Sequence, residues 1–136
     1  MLGVRDVSTN IRSYRDLVVW QKAVELAVRC HQAARRLPRD EMYGLSLQIR
    51  RSAVSVSANI AEGHGRDHLG DYLHHLSIAT GSLMELETHL AIASRLSYLK
   101  PNEIESILVL SGEVSRMLSG LTSKLKLKTK HRSAQT

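Results

Sequence analysis

Histidine is the residue type that first suggests chemistry in this 136-residue chain, because seven histidines occur in it. A zinc site takes three or four histidine, cysteine or carboxylate ligands that the fold brings together. His64 and His68 are four residues apart, but glycines on both sides of His64 disfavour a continuous helix between them. His74 and His75 are adjacent and point in different directions. With a single cysteine and no clear third ligand, the sequence predicts no metal and no cofactor.

The sequence also lacks the short motifs that mark common enzymes. A phosphate-binding loop, a dinucleotide fingerprint and a nucleophile elbow are all absent. The Glu-x-x-His motif, which di-iron bundles carry twice, does not occur either. We therefore predict a protein that works by binding a partner and not by catalysis.

Basic side chains are the better candidates for binding, because arginine and lysine neutralise phosphates without base-specific geometry. The chain carries a net charge of +6, and all 13 of its acidic residues precede Lys124. Its body is therefore nearly neutral and its end strongly basic. The candidate contacts to nucleic acid are Arg35, Arg36, Arg39, Arg50, Arg51, Arg66, Lys124, Lys126, Lys128 and Lys130. Ordinary solubilising charge is the alternative interpretation.

A strip of polar residues lies along the second predicted helix. Its members follow one another at steps of three and four residues and so share one helix face. They are Gln48, Arg51, Ser55, Asn59 and Glu62. Such a strip either contacts a ligand or nucleic acid, or is satisfied by neighbouring helices or another subunit. We favour the second, structural interpretation for the uncharged members, for Glu62 and for Gly63, which ends the helix.

Helices are needed to position these residues, and apolar residues recur at helical spacing along the chain. The first helix is predicted from about Asp16 to Arg36, the second from near Asp40 to Gly63, the third from near Asp67 to about Ser97, and the fourth from Pro101. Short links between them predict an all-α protein, an antiparallel up-and-down four-helix bundle. The apolar face of the first helix, which includes Trp20, is wider than one core contact requires. We therefore expect burial on two sides, in an oligomer.

The sequence divides into one domain and two terminal segments. We predict a flexible arm at residues 1–13, the bundle at 14–125 and a basic, disordered tail at 126–136. The single cysteine excludes an intrachain disulfide, and the N-terminus lacks the apolar core of a signal peptide. No apolar stretch reaches the ~18–20 residues of a membrane span. A soluble protein of the cytoplasm, without a membrane partner, is expected.

Three segments resemble a bacterial family of helical bundles. They are YRDLVVWQKAVELA at residues 14–27, YGLSLQIRRSAVSVSANIAEGHGR at 43–66 and SIATGSLMELETHLAIA at 77–93. In these segments the chain is similar to the 23S rRNA intervening-sequence proteins. The residues that carry the family pattern on the second helix are Arg50, Arg51, Ser55, Asn59, Glu62 and Gly63. The resemblance implies an antiparallel four-helix bundle that assembles as a barrel-like homopentamer, with no established enzymatic activity.

Relatives of that family include the accessory protein of diversity-generating retroelements, a basic pentamer that binds nucleic acid and a reverse transcriptase. Two functional hypotheses are therefore open at the level of sequence. The leading one is a homo-oligomer that binds RNA, a ribonucleoprotein or a nucleic-acid-processing protein through basic residues. The alternative is a protein-interaction scaffold with no nucleic-acid role.

Overall fold

The computed structural model describes residues 10–135, with Thr129 and residues 131–135 described by their backbone alone. Four helices make up most of this part: α1 (Val18–Ala34), α2 (Leu45–His64), α3 (Leu69–Arg95) and α4 (Pro101–Gln135). Short 3-10 helices at Tyr14–Asp16 and Arg39–Glu41 precede α1 and α2. Residues 10–135 contain no β-strand, so the prediction of an all-α protein is confirmed. None of the helices in this part combines the length and apolar character that a membrane span needs.

One apolar side of each helix faces a shared core. The bulkiest fully buried side chains come from all four helices: Leu26, Ile49, Ile60, Leu76, Leu86, Leu90 and Leu118. Because apolar residues recur at steps of three and four, each helix presents one continuous apolar stripe. Burying a side chain of this size contributes about 1.5–3 kcal/mol. The core is therefore what holds the four helices together.

Helices α2 and α3 approach each other closely because small residues lie between them. A Cβ atom on Gly63 would lie 2.8 Å from the Cβ of His75 and 3.3 Å from the Tyr72 carbonyl oxygen. Only glycine leaves room for such an approach. Further along the same contact, the hydroxyl oxygens of Ser55 and Ser82 are 2.7 Å apart. The middle of the polar strip of α2 is thereby placed directly against α3.

Two ion pairs show which parts of α1 and α4 lie side by side. Lys22, near the start of α1, contacts Glu113 at 2.6 Å, and Arg36, just after the end of α1, contacts Glu103 at 2.7 Å. The Lys22 ammonium donates a hydrogen bond to Glu113 and holds the pKa of that carboxyl below its usual value. The end of α1 therefore lies beside the start of α4.

The first two helices begin later than the sequence predicted. The predicted start near Asp40 falls in a 3-10 turn, and α2 begins at Leu45. The Glu41 carboxylate accounts for this start, because its Oε1 accepts a 3.1 Å hydrogen bond from the Leu45 N–H. The first helix begins at Val18, two residues after the predicted start at about Asp16, again after a 3-10 turn.

The fourth helix is longer than the sequence predicted. It continues through Gln135, which corrects the prediction of a disordered tail at 126–136, while Thr136 lies outside the described residues. No proline or glycine follows Gly120, and leucine and lysine are good helix formers, so nothing in this segment ends the helix. At ~1.5 Å per residue, α4 is a rod of roughly 52 Å.

Of the arm predicted at residues 1–13, residues 1–9 lie outside the described residues. The described part is held to the bundle. Ile11 packs against the core, and the Arg12 N–H donates a 2.8 Å hydrogen bond to Asp16 Oδ2. That bond is the main reason why the pKa of the Asp16 carboxyl is lowered. The bundle therefore begins a few residues before position 14.

Candidate nucleic-acid interface

Three of the predicted arginines meet where α1 leads into α2. Arg35 follows the last residue of α1, Arg39 begins the 3-10 turn, and Arg50 lies on α2. All three residues line one cleft of about 480 Å³. The other lining residues are His31, Ala34, Leu37, Pro38, Met42 and Ser46. We call this site the arginine cleft.

The arginine cleft carries positive charge that is not neutralised from within it. Its nine lining residues include no aspartate or glutamate. Arg35 and Arg39 are exposed and form no ion pair with the described residues. The Arg50 guanidinium donates to the Met42 carbonyl oxygen at 3.4 Å. Guanidinium groups in this state can bind phosphate or carboxylate through paired N–H donors.

The segment that carries Arg39 is held in place by a carboxylate with two partners. Glu41 Oε1 accepts from the Leu45 N–H, and Glu41 Oε2 accepts a 3.1 Å hydrogen bond from the Tyr98 hydroxyl. The bond to Glu41 is the main cause that raises the pKa of Tyr98. Glu41 thereby ties the α1–α2 link to the α3–α4 link. Sequence reasoning missed both residues, and its one signal was a carboxylate four residues before the first residue of α2.

The other predicted arginines do not reach the arginine cleft. Arg36 is paired with Glu103, and Arg66 is paired with Glu62 at 2.5 Å. Arg51 is exposed elsewhere on α2. Of the six candidate arginines, three line the arginine cleft, two are ion-paired outside it, and Arg51 does neither.

The predicted lysines form a second basic region, on α4. The exposed members are Lys124, Lys126, Lys128 and Lys130. At 100° per residue they point to two sides of the helix, and Leu125 between them is buried. Lys124 lies about 32 Å along α4 from Glu103, the residue beside the end of α1, at ~1.5 Å per residue. The arginine cleft and the α4 lysines are therefore two separate basic regions and not one patch.

The polar strip of α2 meets polar side chains of α3. His75 Nδ1 and Asn59 Oδ1 are hydrogen-bonded at 3.0 Å, and Asn59 Nδ2 donates to the Ser55 hydroxyl at 3.1 Å. The Ser55 hydroxyl in turn bonds that of Ser82 at 2.7 Å. Glu62 Oε2 lies 3.7 Å from His75 Nε2. Ser55, Asn59 and His75 are partly buried and each has a hydrogen-bond partner, which is a structural arrangement that joins the two helices.

The remaining residues with predicted interface roles differ in their surroundings. Gln48 is exposed, whereas Gly63 is buried against α3. Trp20 is half-buried, with its ring centroid 5.0 Å from that of Tyr14 at an interplanar angle of 68°. The Arg15 guanidinium lies over both rings. Contact with another subunit at Trp20 and Gln48 stays a prediction.

Reactive and metal-binding groups are also placed by the structure. Within residues 10–135, no three histidine, cysteine, aspartate or glutamate side chains are grouped so that they could hold a metal ion. Burial raises the pKa of the Cys30 thiol to about 12, so this thiol is not a nucleophile at neutral pH. His89 Nε2 is buried and has no hydrogen-bond partner among the described residues.

The architecture defines a class of protein: four long helices around one apolar core, with basic side chains at two separate places on the surface. Within this class, the family described as 23S rRNA-intervening sequence protein matches residues 15–120, and the chain belongs to this family. The membership that the sequence resemblance implied is thereby confirmed.

A solved structure supports the same assignment. It is the crystal structure of a protein with unknown function from the S23 ribosomal protein family of Bacteroides thetaiotaomicron VPI-5482, and it is 31% identical to this chain. The match covers 78% of this chain and 96% of the other, with a TM-score of 0.73. No curated protein matches the chain.

Proposed function

We propose that this protein binds RNA in the cytoplasm through the phosphate backbone, and that the arginine cleft is its main contact. The observation that carries this proposal is the convergence of Arg35, Arg39 and Arg50 on one cleft without a carboxylate in its lining. Three cationic residues that line one cleft favour a polyanion over a single acidic side chain. The family takes its name from a 23S rRNA intervening sequence, which agrees with RNA as that polyanion.

The lysines of α4 supply a second, weaker contact. They are exposed, and lysine binds phosphate as a point charge without the paired geometry of arginine. Their spread around the helix suits any nearby backbone and no particular base. Binding through both regions is therefore expected to depend strongly on salt and little on RNA sequence.

We also infer that the bundle is antiparallel and up-and-down, and that five copies assemble as a homopentamer. Large apolar side chains that are exposed in the single chain support an assembly: Met84, Leu96, Leu108 and Val109. A symmetric ring would repeat the arginine cleft and strengthen binding to a long polyanion. Light scattering tests this, and a particle with the 15.2 kDa mass of one chain would contradict it.

A salt series with single-residue variants tests RNA binding. Fluorescence anisotropy of a labelled RNA gives the binding constant K at each salt concentration. Replacing Arg35 or Arg39 with glutamine removes one phosphate contact from each cleft that holds RNA. The slope of log K against log salt is therefore expected to become less negative by about 0.7–0.9 for each such cleft. Arg36→Gln is the matched control, because Arg36 is adjacent in sequence but paired with Glu103.

Two results would refute the proposal. One is the absence of RNA binding at low salt, and the other is an equal loss of affinity in Arg35→Gln and Arg36→Gln. A protein partner that stays bound after nuclease treatment and at high salt, in a chain that binds no RNA, would favour the scaffold. The exposed apolar side chains on α3 and α4 are what favour this second function.

A further inference from the structure

We propose that the arginine cleft takes an unpaired nucleotide, with the phosphate on the arginines and the base on the apolar part of the cleft. This inference rests on the proposed RNA binding and narrows it to RNA without base pairs at the contact. The cleft volume of about 480 Å³ lies within the ~300–1,000 Å³ of small-molecule sites. A base in a duplex points inward and cannot enter such a cleft, whereas an unpaired base can turn outward.

The lining of the arginine cleft has two chemical parts. The three arginines supply positive charge and N–H donors. Ala34 and Leu37 are buried apolar residues, and Pro38 and Met42 are exposed beside them. A bare phosphate would contact the arginines alone. A nucleotide uses both parts, because a base can lie on the Met42 thioether or a guanidinium plane while its phosphate binds arginine.

Two further lining residues offer hydrogen-bond acceptors. His31 Nδ1 lies 2.9 Å from the Ala27 carbonyl oxygen, which only accepts, so in the neutral ring Nδ1 carries the proton and Nε2 keeps a lone pair. The Ser46 hydroxyl donates its proton to the Ala34 carbonyl oxygen at 3.2 Å, which leaves its own lone pairs as acceptors. A backbone phosphodiester has no proton to give to these groups. A ribose hydroxyl and the amino group of a base do, so the mixture of cations and acceptors fits a whole nucleotide.

Anisotropy with two labelled RNAs of equal length tests the inference at a single salt concentration. One is a single strand without self-complementarity, and the other is a blunt, fully paired duplex. We expect the single strand to bind about tenfold more tightly, which is the effect of stacking one base. Met42→Ala is expected to weaken the single strand about threefold and to leave the duplex unchanged. Tyr43→Ala, at an 85% exposed neighbour outside the cleft, is the control and changes neither.

The outcomes separate this inference from the proposed function. Equal affinity for both RNAs, or equal effects of Met42→Ala and Tyr43→Ala, overturns the nucleotide site but leaves RNA binding standing. If neither RNA binds at low salt, the proposed function fails and the nucleotide site fails with it.

A competition experiment shows which part of the RNA the arginine cleft recognises. Uridine monophosphate in large excess is expected to displace the single strand, while the same concentration of inorganic phosphate is not. Equal displacement by both would show that only the anion is recognised, which overturns the inference. Displacement by uridine monophosphate at the concentration of the strand itself would overturn RNA as the source of the nucleotide.

Discussion

Gly63 offers the sharpest test of how α2 and α3 fit together. In Gly63→Ala, the new Cβ would meet the His75 Cβ at 2.8 Å, Tyr72 Cδ1 at 3.1 Å and the Tyr72 carbonyl oxygen at 3.3 Å. The nearest of these contacts and the carbonyl belong to atoms close to or in the α3 backbone, which cannot turn away as the end of a long side chain can. The two helices must therefore move apart at this point.

The expected size of the effect comes from two opposing contributions. Replacing glycine with alanine inside a helix stabilises it by roughly 0.5–1 kcal/mol. An extra methyl group in a tightly packed contact costs about 1–3 kcal/mol. Taking the middle of each range, the net loss for Gly63→Ala is about 1 kcal/mol. In a chain of this length that lowers Tm by about 3–5 °C.

Gly81→Ala is the matched control, because Gly81 lies inside α3 and a Cβ there would meet nothing within 4 Å. Replacing Gly81 with alanine adds no packing contact and only removes the destabilising effect of glycine inside a helix, so Tm is expected to rise by about 2–4 °C. Thermal unfolding followed by circular dichroism gives both shifts. If Gly63→Ala raises Tm as much as Gly81→Ala does, the close contact between α2 and α3 is not what glycine serves there.

Two further predictions concern buried groups. Asn59→Ala leaves His75 Nδ1 without its hydrogen-bond partner on α2, so urea unfolding is expected to show a loss of about 1–3 kcal/mol in the free energy of unfolding. Ser57→Ala, whose hydroxyl bonds only its own helix, is the control and is expected to stay within about 0.5 kcal/mol of the parent. Similar losses in both would refute a role for the network. Burial raises the pKa of the Cys30 thiol to about 12, against 9.0 in the unfolded chain. The buried neutral thiol therefore makes its full contribution to the free energy of unfolding below pH 9. That contribution is lost as the pH rises above 9, by about 1.4 kcal/mol per pH unit. Cys30→Ala is expected to lack this part of the alkaline decline, and parallel stability profiles of the two proteins between pH 8 and 11 would contradict it.

The helices were predictable because each buries one side, and that leaves a period of three to four residues in the sequence. The ends of the helices were less predictable. The start of α2 depends on the Glu41 side chain, which bonds both Leu45 nearby and Tyr98 in a distant link. The sequence alone does not reveal a partner 57 positions away. The end of α4 was predicted too early because basic composition was taken as a sign of disorder, although lysine is a good helix former.

The arginines show why the sequence predicted a basic region near the α1–α2 link but not which arginines line the cleft. Arg35 and Arg36 are identical in type and adjacent in the chain. Both lie in the turn that follows α1, where Arg36 reaches Glu103 and Arg35 lines the arginine cleft. The polar strip was visible as spacing on α2. Its partners His75 and Ser82 depend on the register between α2 and α3, which no single-helix pattern contains.

The ion pair between Lys22 and Glu113 also bears on the order in which the chain folds. It joins residues 91 positions apart, whereas the bond between Ser55 and Ser82 spans 27. Closing a longer loop costs more chain entropy, and contacts between distant residues slow folding. Helices α2 and α3 can therefore form a hairpin early, and the docking of α1 on α4 completes the bundle. A destabilising change in the α2–α3 contact is expected to slow folding, while one at Lys22 mainly speeds unfolding.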